Sequence, residues 1–282
     1  MPKAGKLQGR VAIVTGSTSG VGRATAQLFA QEGANIVIVG RHEEAGLQTQ
    51  REIESENKDQ VFFVKTDVTS EDSVRNLINR SVGKFGRLDI LVNNVGGFRF
   101  DTVEDMSLDD WNFVFNGNLT SVFLCSKYAI PHLAKSGKGV VLNTSSPAAF
   151  NALAMRSAYC CAKSGVILFT KILATENYGK HIRANCIVPG FVRGGESTFN
   201  NIVLPKENLD RMLKGFLGGH DNPGNCSPED VAKLSLYLVS DDSYYINGTS
   251  FVMDGGMSSL TDYVTYEKDL KKLKSILKGK SK

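Results

Sequence analysis

The sequence predicts an α/β fold: a single-domain, doubly wound parallel sheet of about seven strands with helices on both faces. Three observations predict it. Short apolar, β-branched runs alternate with amphipathic stretches along the chain, the pattern of parallel β-α-β units. A glycine-rich turn separates the first such run from the first helical stretch. The composition, 41% hydrophobic with 28 Gly and only 7 Pro, suits a compact chain without a long linker.

Arg10–Thr15 is the first buried strand. Gly16-Ser17-Thr18-Ser19-Gly20-Val21-Gly22 follows and opens the helical stretch Arg23–Glu32. Glycines in that strand-turn-helix context let the backbone approach a pyrophosphate at a helix N-terminus, so the loop is a candidate dinucleotide cradle in a Rossmann-like fold. Asn35–Val39 closes a right-handed β-α-β unit. A charged helix over 42–57, a strand Val61–Val64 and an amphipathic helix over 70–85 come next. The last has Val74, Leu77, Ile78 and Val82 on one face. Leu88–Val92 is the fourth strand and ends in Asn93-Asn94-Val95-Gly96-Gly97. One long helix is expected over Asp109–Leu133, then a fifth strand Gly139–Asn143 and a helix Ser157–Tyr178. A sixth strand, Arg183–Val188, stops at Pro189-Gly190, a helix opens at Pro228-Glu229-Asp230, and Ser250–Met253 is the last strand. Residues 193–226 contain no strand pattern and read as a substrate lid over the carboxyl ends of the strands. The main domain is therefore 1–256, followed by a basic extension, 257–282.

Met1–Lys6 runs straight into the first strand, with no apolar run long enough to target or span a membrane. Five cysteines without framework spacing argue for reduced thiols, and together these point to a cytoplasmic protein. No two of the four histidines have metal-ligand spacing, so no metal is expected. The net charge of +4 resides in the tail, which holds seven Lys against Asp262, Glu267 and Asp269. The neutral body excludes a general nucleic-acid surface. Leu270, Leu273 and Leu277 would form a thin amphipathic stripe in that tail, better suited to packing on a neighbouring subunit, or to disorder, than to a membrane.

The chemistry centres on Tyr159-Cys160-Cys161-Ala162-Lys163. On a helix, residues four apart share a face. An ammonium beside a phenol favours the phenolate, and turning a phenol of pKa about 10 into a base near neutrality takes a shift of roughly 3 units, or about 4 kcal/mol. Any Tyr and Lys can fall four apart, and the weight comes from the signals that surround the pair in a fixed order.

In these motifs the chain resembles the short-chain dehydrogenase/reductase family over about residues 6–256. Thr15-Gly16-x-x-x-Gly20-x-Gly22 is similar to its cofactor loop, and Asn93-Asn94-Val95-Gly96 to its Asn-Asn-Ala-Gly motif with Val for Ala. Asn118 lies where the family keeps a catalytic Asn, Ser146 precedes Tyr159 by the family's interval, and Tyr159 and Lys163 match Tyr-x-x-x-Lys. Pro189-Gly190 and Asp254-Gly255-Gly256 match later markers. The resemblance implies hydride transfer between a nicotinamide cofactor and an alcohol or ketone. Tyr159 would be the general acid/base. Lys163 would lower its pKa and hold the nicotinamide ribose, Ser146 would bind the substrate oxygen, and Asn118 would hold a relay water. Ser145 would point away from Ser146 and out of the site. The resemblance also implies cofactor contacts from Thr15, Gly16, Ser17, Ser19, Gly20, Val21, Gly22, Asp67, Val68, Asn93, Gly96, Pro189, Gly190 and Val192. Asn94 reads equally as a structural hydrogen-bonder. The Thr or Ser that relatives often carry after Pro-Gly is missing from Phe191-Val192-Arg193-Gly194. A homotetramer, or a homodimer, assembled through the two long helices flanking the fifth strand is implied as well.

Phe98, Phe100, Phe150, Leu153, Met155 and Phe191, with Ile202, Leu204, Met212, Leu213 and Phe216 of the lid, read either as ordinary core or as an apolar substrate lining. The second reading suits a bulky small molecule. Gly96-Gly97 with Ala158-Tyr159-Cys160 is similar to bacterial hydroxysteroid dehydrogenases of the family. A 3-oxoacyl-thioester, small-ketone or sugar reductase is the alternative. An idle dinucleotide-sensing regulator is the non-enzyme reading, against which the complete Asn118/Ser146/Tyr159/Lys163 set argues.

NADP(H) is expected over NAD(H). By its interval from Thr15, Gly40 stands where NAD-binding relatives carry an acid, and Arg41 follows it with a fork suited to a 2′-phosphate. His42 is a helper, although Ser19 is not the basic residue many NADP-preferring relatives have in the loop. Arg41→Ala should weaken NADP(H) far more than NAD(H) in a fluorescence titration. Equal losses, or a wild type that favours NAD(H), would overturn the assignment.

Overall fold

The computed structural model describes residues 5–54, 60–193, 226–256 and 258. Its sheet has seven parallel strands in the order β3-β2-β1-β4-β5-β6-β7. These are β1 (Val11–Thr15), β2 (Asn35–Gly40), β3 (Val61–Lys65), β4 (Ile90–Asn93), β5 (Gly139–Thr144), β6 (Ile182–Pro189) and β7 (Ser250–Met253). The strand order reverses between β1 and β4, so their carboxyl ends flank a crevice open to a ligand.

Side chains alternate across each central strand, and both faces are buried. Ala12 and Val14 of β1 join Phe29, Ile36, Ile38, Leu142 and Ile187 in one core cluster. Val11 and Ile13 join Val37, Leu91, Val141, Leu124 and Leu133 in the other. Strands covered on both sides are therefore near-continuous apolar runs rather than alternating ones. The first cluster lies under α1 (Gly20–Gln31), α2 (Glu43–Glu54) and α7 (Pro228–Val239). The second lies under α3 (Glu71–Phe85), α5 (Ser121–Ser136) and α6 (Ser157–Glu176). Ser70 and Ser227 cap α3 and α7 through their side chains, the latter in a capping box with Asp230.

The single long helix expected over Asp109–Leu133 is not continuous. α4 (Leu108–Phe115), capped by Ser107, passes through a wide π turn, Asn116–Thr120, before α5 begins. The side chain of Asn118 explains the widening. Its Nδ2 donates to the Val114 carbonyl at 2.8 Å, the normal α-helical partner of the Asn118 backbone N–H, and to the Gly97 carbonyl at 2.6 Å. A side chain that competes for its own helix's carbonyl loosens the turn, and such π turns gather at functional sites.

α6 is long and apolar enough by length and composition to cross a membrane, with a mean hydropathy of 1.2. Its apolarity has another account: Ala162, Val166, Thr170 and Leu173 face the sheet, while Leu168 and Ile172 are exposed on the outer side. The lid read over 193–226 falls, apart from Arg193 and Cys226, outside the described residues, and Ile202, Leu204, Met212, Leu213 and Phe216 go with it. The extension 257–282 does likewise, except for Ser258, whose N–H donates to Asp254. Val192 pairs with Cys226 in an isolated parallel bridge that joins the two ends of that segment.

Candidate active site

The glycine loop leaves β1 with Gly16 at φ +66° and Gly20 at φ +51°, left-handed conformations that favour glycine. A side chain at Gly22 would strike the Gly16 carbonyl at 2.3 Å and the Asn94 amide at 2.8 Å. Thr15 ties the loop to the end of β4. Its hydroxyl donates to the Val92 carbonyl (3.2 Å) and accepts from the Asn94 N–H (2.9 Å). Ser17 is buried and fully employed: its hydroxyl donates to Val14 and accepts the Val39 N–H. Its own N–H donates to the Val39 carbonyl at 3.1 Å, so Ser17 holds the turn from both side chain and backbone. α1 differs from α3, α4 and α7, since Ser19 makes no side-chain cap and the first turn carries no acid. Its N-terminal N–H groups and positive dipole end are left for an anion.

Beyond β2, Arg41 and His42 are exposed. A side chain built on Gly40 would meet the Thr18 methyl at 2.6 Å, so an acid there would first have to displace Thr18. Burial would raise the Asp67 carboxyl, but the Thr69 hydroxyl and N–H it accepts, together with the Arg41 charge, hold it below the usual carboxylate range. Val68 beside it is buried. On the other wall Gly190, just past Pro189, approaches Asp254 so closely that a Cβ would lie 2.8 Å from its Cα.

The side chain of Asn93 does not open onto the crevice, which leaves its backbone for the wall beside it. It is buried and donates to Asn143, whose own amide donates to Thr170 on α6. This polar chain fixes α6 against β4 and β5. Ser145 adds a second tie, its buried hydroxyl donating to the Lys163 carbonyl at 2.8 Å. Ser146, one residue on, turns the other way. Its hydroxyl accepts the Ala148 N–H and lies close enough to the Tyr159 phenol to draw its pKa down.

Lys163 is buried and donates from Nζ to the Thr144 carbonyl at 2.9 Å. Desolvation pulls its ammonium down to about 8. Asn118 Oδ1 is buried without a protein partner. A methyl on Gly96 would lie 2.7 Å from that oxygen and 3.3 Å from Lys163 Nζ, so both atoms converge on one small space. An orphaned acceptor beside an ammonium whose pKa is drawn toward neutrality suits a proton path completed by water.

The Tyr159 phenol departs from expectation. Burial pushes it above 10, opposed by the Ser146 hydrogen bond and the positive charge of Arg156. Lys163 is not among the groups that move it. Its ammonium is turned to Thr144 and lies 5.7 Å from the Tyr159 ring centre. Four-residue spacing placed the pair on one face, but it could not say which carbonyl would claim the ammonium.

The family model for short chain dehydrogenases matches residues 10–201. The chain belongs to the short-chain dehydrogenase/reductase family. It is 36% identical over 254 residues to a 3-oxoacyl-[acyl-carrier-protein] reductase of Chlamydia pneumoniae, covering 89% of this chain and 98% of the other. It is 33% identical over 255 residues to a mitochondrial borneol dehydrogenase of Lavandula x intermedia, covering 90% and 92%. A solved short-chain dehydrogenase/reductase of Caenorhabditis elegans, crystallised with cofactor, superposes with a TM-score of 0.84 at 33% identity, covering 93% of this chain and all of that one. As a family member the protein is an oxidoreductase.

The structure thus brings Asn118, Ser146, Tyr159 and Lys163 together at the carboxyl ends of β4 and β5, beside the glycine loop. Sequence reasoning missed Arg156 and Thr18. Arg156 precedes Tyr159 by three residues, a helical-neighbour spacing as informative as the one that singled out Lys163.

Burying Lys163 makes stability depend on pH in a defined direction. Its folded pKa, about 8, lies below the ordinary lysine value of 10.5. The unfolded chain therefore holds the extra proton between those values, and stability rises as pH climbs from 8 to 10.5. Lys163→Met should melt higher than wild type at pH 7, with the gap narrowing toward pH 10 in thermal scans. A variant that melts no higher at pH 7 would contradict this.

Proposed function

We propose that the protein is an NADP(H)-preferring oxidoreductase that interconverts a secondary alcohol and its ketone on a bulky, largely apolar small molecule. The observation that carries this reading is the gathering of Tyr159, the buried Lys163 and the Asn118 oxygen at one place beside the glycine cradle, with Ser146 close enough to act on the Tyr159 phenol.

The residues present fit a dinucleotide. The pinched contact of Gly22 with Gly16, the uncapped α1 and the close approach of Gly190 to Asp254 leave bare backbone where a ligand backbone would lie. Thr15, Gly16, Ser19, Gly20, Val21 and Gly22 would hold the pyrophosphate, and Asp67 and Val68 the adenine. Gly96, Pro189, Gly190 and Val192 would hold the nicotinamide half, with Lys163 on its ribose. Asn93 and Ser17 would support this wall from behind. Arg41, with His42 nearby, would take the 2′-phosphate, and Thr18 against Gly40 disfavours the acid that would reject it. When bound, the nicotinamide accepts or supplies the hydride.

The chain's own groups move the proton. In oxidation, Tyr159 takes the proton of the substrate hydroxyl while Ser146 donates to the same oxygen and steadies its charge. Lys163 and a water at Asn118 Oδ1 carry that proton onward toward solvent. In reduction the path runs in reverse, with Tyr159 as the acid. Phe98 packs edge-on against Tyr159 at 5.8 Å and against Phe100 at 4.8 Å, which supplies an apolar wall beside the reacting oxygen. Ring-bearing alcohols such as hydroxysteroids suit this wall. A 3-oxoacyl thioester is the second reading, favoured by the likeness to the acyl-carrier-protein reductase. Five free cysteines agree with a reducing, cytoplasmic setting.

Phe113 on α4, Phe123 on α5 and Leu168 and Ile172 on α6 are exposed on the outer faces of adjoining helices. This apolar face would be covered in a homotetramer, or in a homodimer that forms half of one. Light scattering at micromolar concentration should give the assembled mass, and a monomer would remove this part of the reading.

Turnover tests the whole. Reduced-nicotinamide absorbance followed with a panel of alcohols, ketones and 3-oxoacyl thioesters should detect a substrate. Tyr159→Phe should then lose well over nine-tenths of the rate while still binding cofactor. Absence of turnover across the panel, or a Phe variant that keeps more than a tenth of the rate, would sink it.

A further inference from the structure

Arg156 occupies a built position at the mouth of the site. It is the N-cap residue of α6, and its carbonyl accepts the Cys160 N–H at 2.8 Å, so Tyr159 follows it by three residues as the helix starts. Its guanidinium lies over the Phe100 ring at 4.7 Å and the Phe98 ring at 5.5 Å. Phe98 in turn packs edge-on against Tyr159 at 5.8 Å. A parallel bridge joins Asp101 to Arg156, and the Asp101 N–H donates to the Met155 carbonyl at 3.0 Å. Met155 is held at φ +64°, a left-handed conformation that costs a non-glycine residue about 1–2 kcal/mol. Backbone strain is thus sustained immediately before Arg156, where it sets the direction in which the guanidinium leaves the chain.

We infer that Arg156, clamped by Phe98 and Phe100, is a positioning residue for the reaction, its fixed guanidinium stabilising the anionic form of Tyr159. The inference rests on the reading of Tyr159 as the acid/base. Cations stack on aromatic faces, and the arginine plane does so with its charge intact. A charge anchored on Phe98 and Phe100 is also anchored relative to Tyr159, which Phe98 touches. The direction of its effect agrees: burial raises the Tyr159 phenol, and Arg156 is among the groups that oppose the rise.

The other groups around Tyr159 do not duplicate this. On α6, the Cys160 thiol acts in the opposite direction, and Lys163 is directed to Thr144. From the turn after β5 comes only the Ser146 hydroxyl, which is neutral. On the segment that carries Phe98 and Phe100, Arg99 pairs with Asp110 at 3.1 Å, and Asp101 accepts the Thr102 N–H at 2.9 Å. Among the described residues, Arg156 is thus the cation that lies over Phe98, the ring packed against Tyr159.

If so, removing the charge raises the pH at which Tyr159 ionises. Oxidation needs the phenolate and reduction the phenol, so the midpoint of both pH–rate profiles moves to higher pH together. Arg156→Gln should lower kcat/KM for oxidation about three- to tenfold below the wild-type midpoint, with the deficit closing at higher pH. Arg156→Lys, which keeps the charge, should stay near wild type. A readout without turnover is phenolate difference absorbance with saturating oxidised cofactor and no substrate. Subtracting the matched Tyr159→Phe background isolates Tyr159 from the other seven tyrosines. The expected result is a later ionisation in Arg156→Gln than in wild type or Arg156→Lys. An unmoved midpoint in folded Arg156→Gln, or an equal move in Arg156→Lys, overturns the inference. Should Arg156→Gln not fold, Phe100→Leu is read instead; it must move the midpoint the same way by less, and an unmoved midpoint there overturns the inference too. If no alcohol is turned over, the function reading falls while the absorbance titration still decides this one.

Discussion

Lys163 carries an ammonium inside the protein, and much of the site is built to tolerate it. Burial draws its pKa down to about 8. The Thr144 carbonyl at the end of β5 accepts a hydrogen bond from it, and the Ser145 hydroxyl donates to the Lys163 carbonyl from the same strand end. Farther along α6, Thr170 meets Asn143, which meets Asn93 on β4. These polar ties lie in an otherwise apolar core, where an unpaired group would cost about 1–3 kcal/mol. They set both the depth and the rotation of α6, and so decide where Tyr159 stands one turn earlier.

The π turn at Asn116–Thr120 is the counterpart on the other side of the crevice. A regular α-helix would have joined α4 to α5 more economically in hydrogen bonds. Instead Asn118 spends its amide on the Val114 and Gly97 carbonyls and leaves its Oδ1 buried and unmatched within reach of the space that Lys163 faces. An orphaned acceptor and a depressed lysine in one place are both destabilising in isolation. Together they make a polar route out of a buried site, the kind of local cost that catalytic machinery commonly carries.

Electrostatics around the crevice are divided between backbone and side chains. Three described helices meet their N-terminal N–H groups with serine caps and acids in the first turn, whereas α1 meets them with neither. Its dipole is thereby kept for an anion at the glycine loop. At Tyr159 the balance is different: desolvation outweighs the pull of Ser146 and Arg156. The phenol is held protonated by its surroundings, and ionising it near neutral pH calls for positive charge close by.

Much of this was legible in the primary structure. Buried strands announced themselves as β-branched runs because both faces of a parallel sheet are covered, and the glycine loop was readable because only glycine permits its turns and its closest approach. Tyr159, Lys163, Ser146 and Asn118 were found by spacing, since a helix and a strand end convert sequence interval into shared direction. Alternation along a strand also separated Ser146 from Ser145 correctly. Hydrogen-bond partners were not legible. Whether the Lys163 ammonium serves Thr144 or Tyr159 depends on which carbonyl lies nearer in the folded core. Whether Asp109–Leu133 runs as one helix depends on where the Asn118 amide finds its acceptors. Arg156 shows the same limit, because its place is set by Phe98 and Phe100, nearly sixty residues away, and by a bridge to Asp101. Local periodicity and backbone chemistry are written in neighbouring residues, and the sequence by itself determined the fold and nominated Asn118, Ser146, Tyr159 and Lys163 for the site. Charge placement and proton affinity depend on distances between segments remote in the chain, and only the tertiary structure decided them.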